Sequence, residues 1–559
     1  MVEGVAGSKG VRGRQRCVSL VNRCLPNLES GDNNSMASTM VSAAQFSIGL
    51  GGNLPTPEPL MDEYQFAQEQ SQLARTKIVA TVGPACSEHE QLVALIRAGA
   101  DVFRLNMAHG EPAEQQVLVD RIRQVSDELN QPIAILVDLA GPKFRLGELL
   151  AESVECHRDD EFYFVTGQPT ALNELSTSYE SLVEELSVGD QVMLADGTVS
   201  MVVEEAHENR VRLRVVQQGT IRSRQGINLP GVQLSAPAIS IDDHQHAIWA
   251  AKAGIDFVSL SFVRSPDEVR TLKDILRSSG STASVIAKIE KREALDRLEE
   301  IVAEADGVMV ARGDLGVEID VAQMPLEQKR IIRICQDYHK PVIIATQMLE
   351  SMHDSQRPTR AEATDVANAI LDGADACMLS GETAIGKYPQ EAVAMMNRIA
   401  LATEASMAGK PLRESAQKGP DGLHAVTSAV VRGAGTMAHV LEAKLVVVAS
   451  HSGRTALALS QQRSFVPTVG ISSKESTLRQ MCLYWGVTPL RNAPANDIEQ
   501  LIRHTDNWAC HSGLASQGDR IVIVGGSHLT AGPRNKQLAA GVHDIVIVHE
   551  VEGNVGCVQ

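Results

Sequence analysis

The chain has 559 residues, 43% of them hydrophobic, 21% charged and 3% aromatic, with a formal net charge of −18 and a pI near 5.4. That length and apolar share predict several globular domains with large cores, while the acidic balance and scarce aromatic rings argue against a general nucleic-acid binder or a base-stacking surface. The nine cysteines form no CxxC pair and no apolar run approaches the ~18 residues of a spanning helix, so a reducing, cytoplasmic setting is expected, without zinc knuckle, disulfide framework or membrane partner.

Residues 1–72 differ in composition from the rest. Gly, Ser and Asn are frequent, and Lys9, Arg12, Arg14, Arg16 and Arg23 are nearly unopposed by acids. Low hydrophobicity and weak periodicity predict disorder. An Arg-rich, acid-poor start also fits a transit peptide, and a later start codon at Met36, Met40 or Met61 would make part of the stretch spurious.

From Arg75 the chain alternates short apolar runs with amphipathic stretches. The runs are TKIVATVG from Thr76, DVFRLNMAHG from Asp101, PIAILVDLAGPK from Pro132, DFVSLSFV from Asp256, SVIAKIE from Ser284, GVMVARGD from Gly307, PVIIATQM from Pro341 and ACMLSGET from Ala376. Nearly all end on functional residue types, among them Arg104, Asn106 and His109, Asp138, Lys143 and Arg145, Ser261, Arg312, Gln347, Ser380 and Glu382. Eight buried parallel strands with polar C-terminal ends predict a (β/α)8 barrel over residues 73–147 and 238–403, with its site at that face.

The runs from Ser284 and Gly307 carry the strongest signal. Strand periodicity puts Lys288 and Glu290 on one face, and Lys291 to Ala305 is long enough for a crossover helix to a parallel neighbour. Glu290 and Asp314 are therefore expected side by side. Two carboxylates with room for water and substrate phosphate match the way Mg²⁺ is held, and an ammonium beside them can bind the same anion. An ion-pair network at a sheet rim fits the same residues.

The rhythm breaks once, between Gly147 and Pro237. There VGDQVMLADGTVSMVVEEA and NRVRLRVVQQG alternate apolar and polar residues and turn at DG and EN, which predicts a small antiparallel β domain over 148–237 that could act as a lid. Residues 404–559 begin with a polar connection, Ala408 to Gly422. A helix in TSAVVRGAGTMAHVL follows, then strands from Leu445, Thr468, Val487, Arg520 and Asp544, an open and mostly parallel α/β sheet. Ser450, Ser452, Gly453, Arg454 and Thr455 follow its first strand and precede a helix, an arrangement that binds phosphate or merely caps a helix. The segment Gly381 to Tyr388 mimics a P-loop, but Tyr388 stands where a Ser or Thr would ligate Mg²⁺, and a barrel loop is the better reading.

TKIVATVGPAC, FRLNMAHG, GINLPG, AKIEKREAL, GVMVARGDLGVEI, ATQMLESM, RPTRAEATDVANAILDGADACMLSGETA and SHSGRT occur in this order from Arg75 onward. On these motifs the chain resembles the pyruvate kinase family. The resemblance implies transfer of the phosphoryl group of phosphoenolpyruvate to ADP, protonation of the enolate to pyruvate, and a homotetramer. It implies that Lys288 neutralises charge on the transferring phosphoryl and the enolate oxygen, that Glu290 and Asp314 hold Mg²⁺ or Mn²⁺, and that Arg104 reaches the substrate phosphate. The backbone around Gly313 and Asp314 with the Thr346 hydroxyl would cradle the substrate carboxylate, Ser261 and Phe262 would line the pocket, and His109 and Arg145 would contact the nucleotide. Thr346 with ordered water would return the proton. At SHSGRT the resemblance implies a sugar-phosphate or nucleotide effector, although the partner loop Thr530 to Asn535 differs from fructose-bisphosphate readers.

The chain departs from the family pattern at the monovalent-cation pocket. Asn106 and Asp138 persist, but Ala108 and Leu139 occupy the Ser and Thr positions, and Lys143 stands where K⁺-requiring relatives have Glu. An ammonium there can supply the missing charge, so K⁺ is expected not to be required. Gln225 replaces a frequent lysine, with Arg224 beside it. Two other readings remain: another metal-dependent barrel enzyme acting on enolates, and a catalytically silent effector-binding paralogue.

Overall fold

The computed structural model describes residues 73–142, 144–195, 197–232, 234–408, 424–526 and 544–552. The expected N-terminal extension, most of the connection after Ala408, Lys143 and the loop Thr530 to Asn535 lie outside these. No helix among the described residues is long and apolar enough to cross a membrane.

Eight parallel strands close into a barrel: Lys77–Thr81, Val102–Asn106, Ala134–Asp138, Phe257–Leu260, Ser284–Ile289, Gly307–Ala311, Val342–Ala345 and Ala376–Leu379. The last pairs with the first, Lys77 opposite Ala376, which leaves no free edge. Side chains alternate as the pleat requires. Val79, Val102, Leu136, Phe257, Ile286, Met309 and Ile343 belong to one buried cluster, whereas Ile78, Phe103, Ile135, Val258 and Val308 pack with the surrounding helices in another. The interior is thus a filled core, and chemistry is confined to the strand ends.

Local signals set the helices. Pro112 and Pro266 stand at the first turns of Pro112–Glu128 and Pro266–Ser278, and capping boxes at Ser265/Glu268 and Thr359/Glu362 close the N-termini of Pro266–Ser278 and Arg360–Asp372. Gly373 ends the latter with φ 99°, a left-handed turn that glycine adopts without a Cβ penalty. The expected single crossover after Glu290 is two short helices, Arg292–Asp296 and Leu298–Glu304, broken at Arg297 with φ −114° and ψ 25°.

Between the third and fourth barrel strands the chain builds a six-stranded sheet and a two-stranded one. The three-stranded meander Gln191–Leu194, Val199–His207 and Arg210–Gln217 is antiparallel, and its inward Val192, Leu194, Met201, Val203, Val211, Leu213 and Val215 share a core with Phe162 and Phe164. In the C-terminal part the strand order is Val487–Pro489, Thr468–Ile471, Leu445–Ala449, Arg520–Gly526, Asp544–Glu550, with the last antiparallel to its neighbour.

This last sheet's helices dock on the N-terminal end of the barrel. There Asp101, Asp256, Asp306 and Asp375 each stand just ahead of or at the head of a strand and accept the backbone N–H of Ile78, Ile135, Val285 and Val342. Arg479 meets Asp256 at 2.7 Å and Arg463 meets Asp375 at 3.1 Å, so two of these carboxylates also bind the C-terminal part.

Candidate active site

Four adjacent strands deliver the central cluster. Lys288 is the fifth residue of Ser284–Ile289, Glu290 follows that strand, and Asp314 lies in the first turn of Arg312–Glu318, directly after Gly307–Ala311. Lys288 Nζ reaches Glu290 Oε1 at 2.8 Å, Ser261 Oγ at 2.7 Å and Asp138 Oδ1 at 3.3 Å. Burial alone would lower the Lys288 pKa, but Asp138 and Glu290 outweigh it and hold the ammonium well above the usual lysine value.

Arg104 joins from the second strand. Its guanidinium donates to Asp138 Oδ2 at 2.9 and 2.6 Å and to Thr81 Oγ at 3.1 Å. Asp138 also accepts from Ser259 Oγ at 2.5 Å. Burial pushes the Asp138 carboxyl up, yet Lys288 and Arg104 more than offset this and leave it below the ordinary aspartate value.

Glu290 Oε2 accepts the Phe262 N–H at 2.6 Å, and Phe262 adopts φ 54° to present it. Burial raises the Glu290 carboxyl, Lys288 lowers it, and the Asp314 charge raises it again. Two like charges repelling along the wall of one cavity are what a divalent cation relieves, and hard oxygen donors suit Mg²⁺ or Mn²⁺. The residues present therefore fit such an ion. Both carboxylates line a cavity of about 40 Å³ with Phe144, Leu229, Leu234 and Phe262 on its apolar side, the first three drawn from the segments that enter and leave the inserted sheet.

The loop after Val342–Ala345 closes the other side. Thr346 and Gln347 are both left-handed, at φ 64° and 54°, a conformation that costs a non-glycine residue about 1–2 kcal/mol. Arg312 holds them: its guanidinium donates to Thr346 O at 2.6 Å and Gln347 O at 3.1 Å and pairs with Asp365 at 2.5 Å. Thr346 Oγ accepts the Gly313 N–H at 2.9 Å and donates to Ala345 O at 2.7 Å, so the two groups expected to cradle a carboxylate here face each other.

The structure thus brings together Arg104, Asp138, Ser261, Phe262, Lys288, Glu290, Asp314, Gly313 and Thr346. His109 is exposed on the loop after the second strand, and Arg145 lies in the neck, its Nη1 donating to Arg224 O at 3.2 Å; neither touches the cluster. Asn106 Oδ1 accepts from the Ala108 N–H at 3.2 Å, and Leu139 is buried with its carbonyl accepting from Ser261 Oγ at 2.6 Å. Ser450 is buried, Ser452 is exposed, Gly453 has φ 78°, and Arg454 Nε meets Ser452 Oγ at 3.3 Å ahead of the short helix Arg454–Ser460. In the P-loop mimic, Lys387 pairs with Asp354 at 2.8 Å. Thr81 and Ser259 also join the cluster, and in the sequence each is only a hydroxyl within an otherwise apolar strand.

An ammonium, a guanidinium and two carboxylates converging at the C-terminal end of a closed parallel barrel make a site suited to an anionic substrate and a divalent cation. Comparison with known proteins narrows this. The family model for the pyruvate kinase barrel domain matches residues 73–393, and that for the pyruvate kinase alpha/beta domain matches residues 428–536. Pyruvate kinase 2 of Synechocystis is 41% identical over 488 residues, covering 86% of this chain and 80% of that protein. A pyruvate kinase of Mycobacterium intracellulare is 41% identical over 456 residues, covering 81% and 95%. The crystal structure of a pyruvate kinase from Cryptosporidium parvum matches with a TM-score of 0.76 at 30% identity, over 86% of this chain and 97% of that one. The chain belongs to the pyruvate kinase family and is a phosphotransferase whose substrates are phosphoenolpyruvate and ADP.

Proposed function

We infer that the cluster around Lys288 carries the transfer of the phosphoryl group from phosphoenolpyruvate to ADP. The observation that supports this most is Lys288 itself: a buried ammonium anchored by Glu290, Asp138 and Ser261. Phosphoryl transfer asks for positioning and charge stabilisation rather than a nucleophilic side chain, and Lys288 supplies charge where the phosphoryl oxygens and the enolate oxygen develop it. Arg104, oriented by Asp138 and Thr81, binds the substrate phosphate. Gly313 N–H and Thr346 Oγ release one another to receive the substrate carboxylate, and Phe262 and Ser261 fix the orientations of Glu290 and Lys288. Glu290 and Asp314 would hold Mg²⁺ or Mn²⁺, which supplies Lewis-acid polarisation of the substrate's oxygens when bound. Thr346 relays a proton to the enolate through water. His109 and Arg145 contact the nucleotide, and the neck segments let the inserted sheet close over it and exclude water.

The enzyme works without K⁺ on this reading. Asp138, a K⁺ ligand in the K⁺-requiring pattern, is here bound by two cations, and Leu139 brings no hydroxyl; Lys143 supplies further positive charge. The loop Ser450 to Thr455 takes a sugar phosphate or nucleotide effector, and the chain assembles as a cytoplasmic homotetramer. Phosphorus NMR of the purified protein with phosphoenolpyruvate, ADP and Mg²⁺ tests the core of this: ATP should accumulate, and an unchanged substrate signal would overturn it in favour of a silent paralogue.

A further inference from the structure

Glu290 and Asp314 come from different elements, and neither element alone sets their separation. One residue past Glu290, Lys291 Nζ meets Glu318 Oε1 at 2.5 Å. Glu318 ends the helix Arg312–Glu318, four residues past Asp314, hence about one turn along the same face. The ion pair therefore cross-links the two backbone segments that carry the carboxylates. Its side chains are only 18% and 2% exposed, so solvent screens it weakly.

A second observation ties the pair to the site. Lys291, Glu318, Glu290 and Asp314 all line the same cavity of about 40 Å³, and Glu318 Oε2 is buried there without a side-chain donor. A buried carboxylate oxygen with few donors costs free energy unless something in that cavity meets it.

We propose that Lys291 and Glu318 are positioning residues for the divalent cation: their ion pair fixes the separation of Glu290 and Asp314, and Glu318 adds an acceptor oxygen to the wall of the cavity they share. This rests on the reading of Glu290 and Asp314 as the metal-holding pair.

Mn²⁺ binding to the purified full-length protein, read from the paramagnetic resonance of the free ion, separates positioning from net charge. Glu318→Gln removes a negative charge and Lys291→Met a positive one, so electrostatics alone would weaken binding in the first and tighten it in the second. Positioning weakens it in both, by about tenfold, with the apparent KM for the metal rising in step and kcat at saturating metal falling less than about threefold. Lys291→Arg, which keeps the pair, should restore wild-type affinity; should Lys291→Met not fold, Lys291→Gln takes its place. Unchanged or tighter Mn²⁺ binding on losing the lysine charge overturns the proposal, as does failure of Lys291→Arg to restore it. Glu290→Gln tests the underlying reading separately: Mn²⁺ affinity equal to wild type there would remove Glu290 from the metal site whatever the other variants do.

Discussion

Asp138 accepts from Arg104 and Ser259 and pairs with Lys288, so it orients two cations toward the strand ends. The residue-scale reasons to expect independence from K⁺ are Ala108 and Leu139 at the Ser and Thr positions of the K⁺-requiring pattern, and Lys143 at the position of its Glu. Steady-state rates in Na⁺, K⁺ and tetramethylammonium buffers should agree within about twofold, and Lys143→Glu, which restores the acidic residue of the K⁺-requiring pattern, should make the rate rise with K⁺; strong activation of the wild type by K⁺ would contradict the account. Lys288, Glu290 and Asp314 were legible in the sequence because each directly ends or follows an apolar run. The contacts of Thr81 and Ser259 were not, since they depend on which strand lies beside which once the barrel closes. The left-handed Thr346 and Gln347, with Arg312 holding their carbonyls, left no local signal either, because neither residue type marks positive φ.

At the scale of elements, the Thr359/Glu362 box shows how one side chain sets a loop. Glu362 accepts from Thr359 N and Oγ and from Ser351 N and Oγ, fixing the turn that follows the strand Val342–Ala345. Burial raises its carboxyl, but the Ser351 and Thr359 donors outweigh this and hold it below its ordinary value near 4.5. A depressed carboxylate contributes stability that is present above the unfolded pKa and lost as pH falls through the folded one. Glu362→Ala should therefore destabilise by about 1 kcal/mol at neutral pH in urea titrations, and the gap between variant and wild type should narrow below about pH 4; a gap independent of pH would refute the assignment. Strong periodicity made the barrel strands and the long hairpin of the inserted sheet readable. Its short strands Val154–Cys156, Glu174–Leu175 and Ile227–Asn228 are too brief to carry a period, and the break at Arg297 carries no Gly or Pro to announce it.

For the whole molecule, the barrel's two ends do different work. The C-terminal ends of the strands gather the cluster, and the N-terminal ends present aspartates that tie strand to strand and, through Arg463 and Arg479, barrel to C-terminal sheet. Asp256 is 1% exposed on its side chain and is shared between Arg123 and Arg479. Arg479→Ala should lower stability by about 2 kcal/mol, read as an earlier urea midpoint, while leaving the KM for phosphoenolpyruvate unchanged, because the charge it abandons lies at the opposite end of the barrel from Lys288; an unshifted midpoint would show that the contact contributes nothing. Light scattering should give a particle of about four times the 60.1 kDa chain, as a homotetramer requires. The order of helices and strands predicted both architectures, but which end of the barrel the second would cover was not readable, since it depends on arginines that look like ordinary surface charges in the sequence. The most direct measurement is pyruvate formation from phosphoenolpyruvate and ADP with Mg²⁺, wild type beside Lys288→Met, with and without K⁺. Turnover by the wild type is expected in both buffers, with a loss of about 10³-fold in kcat for the variant in both; a variant as fast as wild type would remove Lys288 from the reaction.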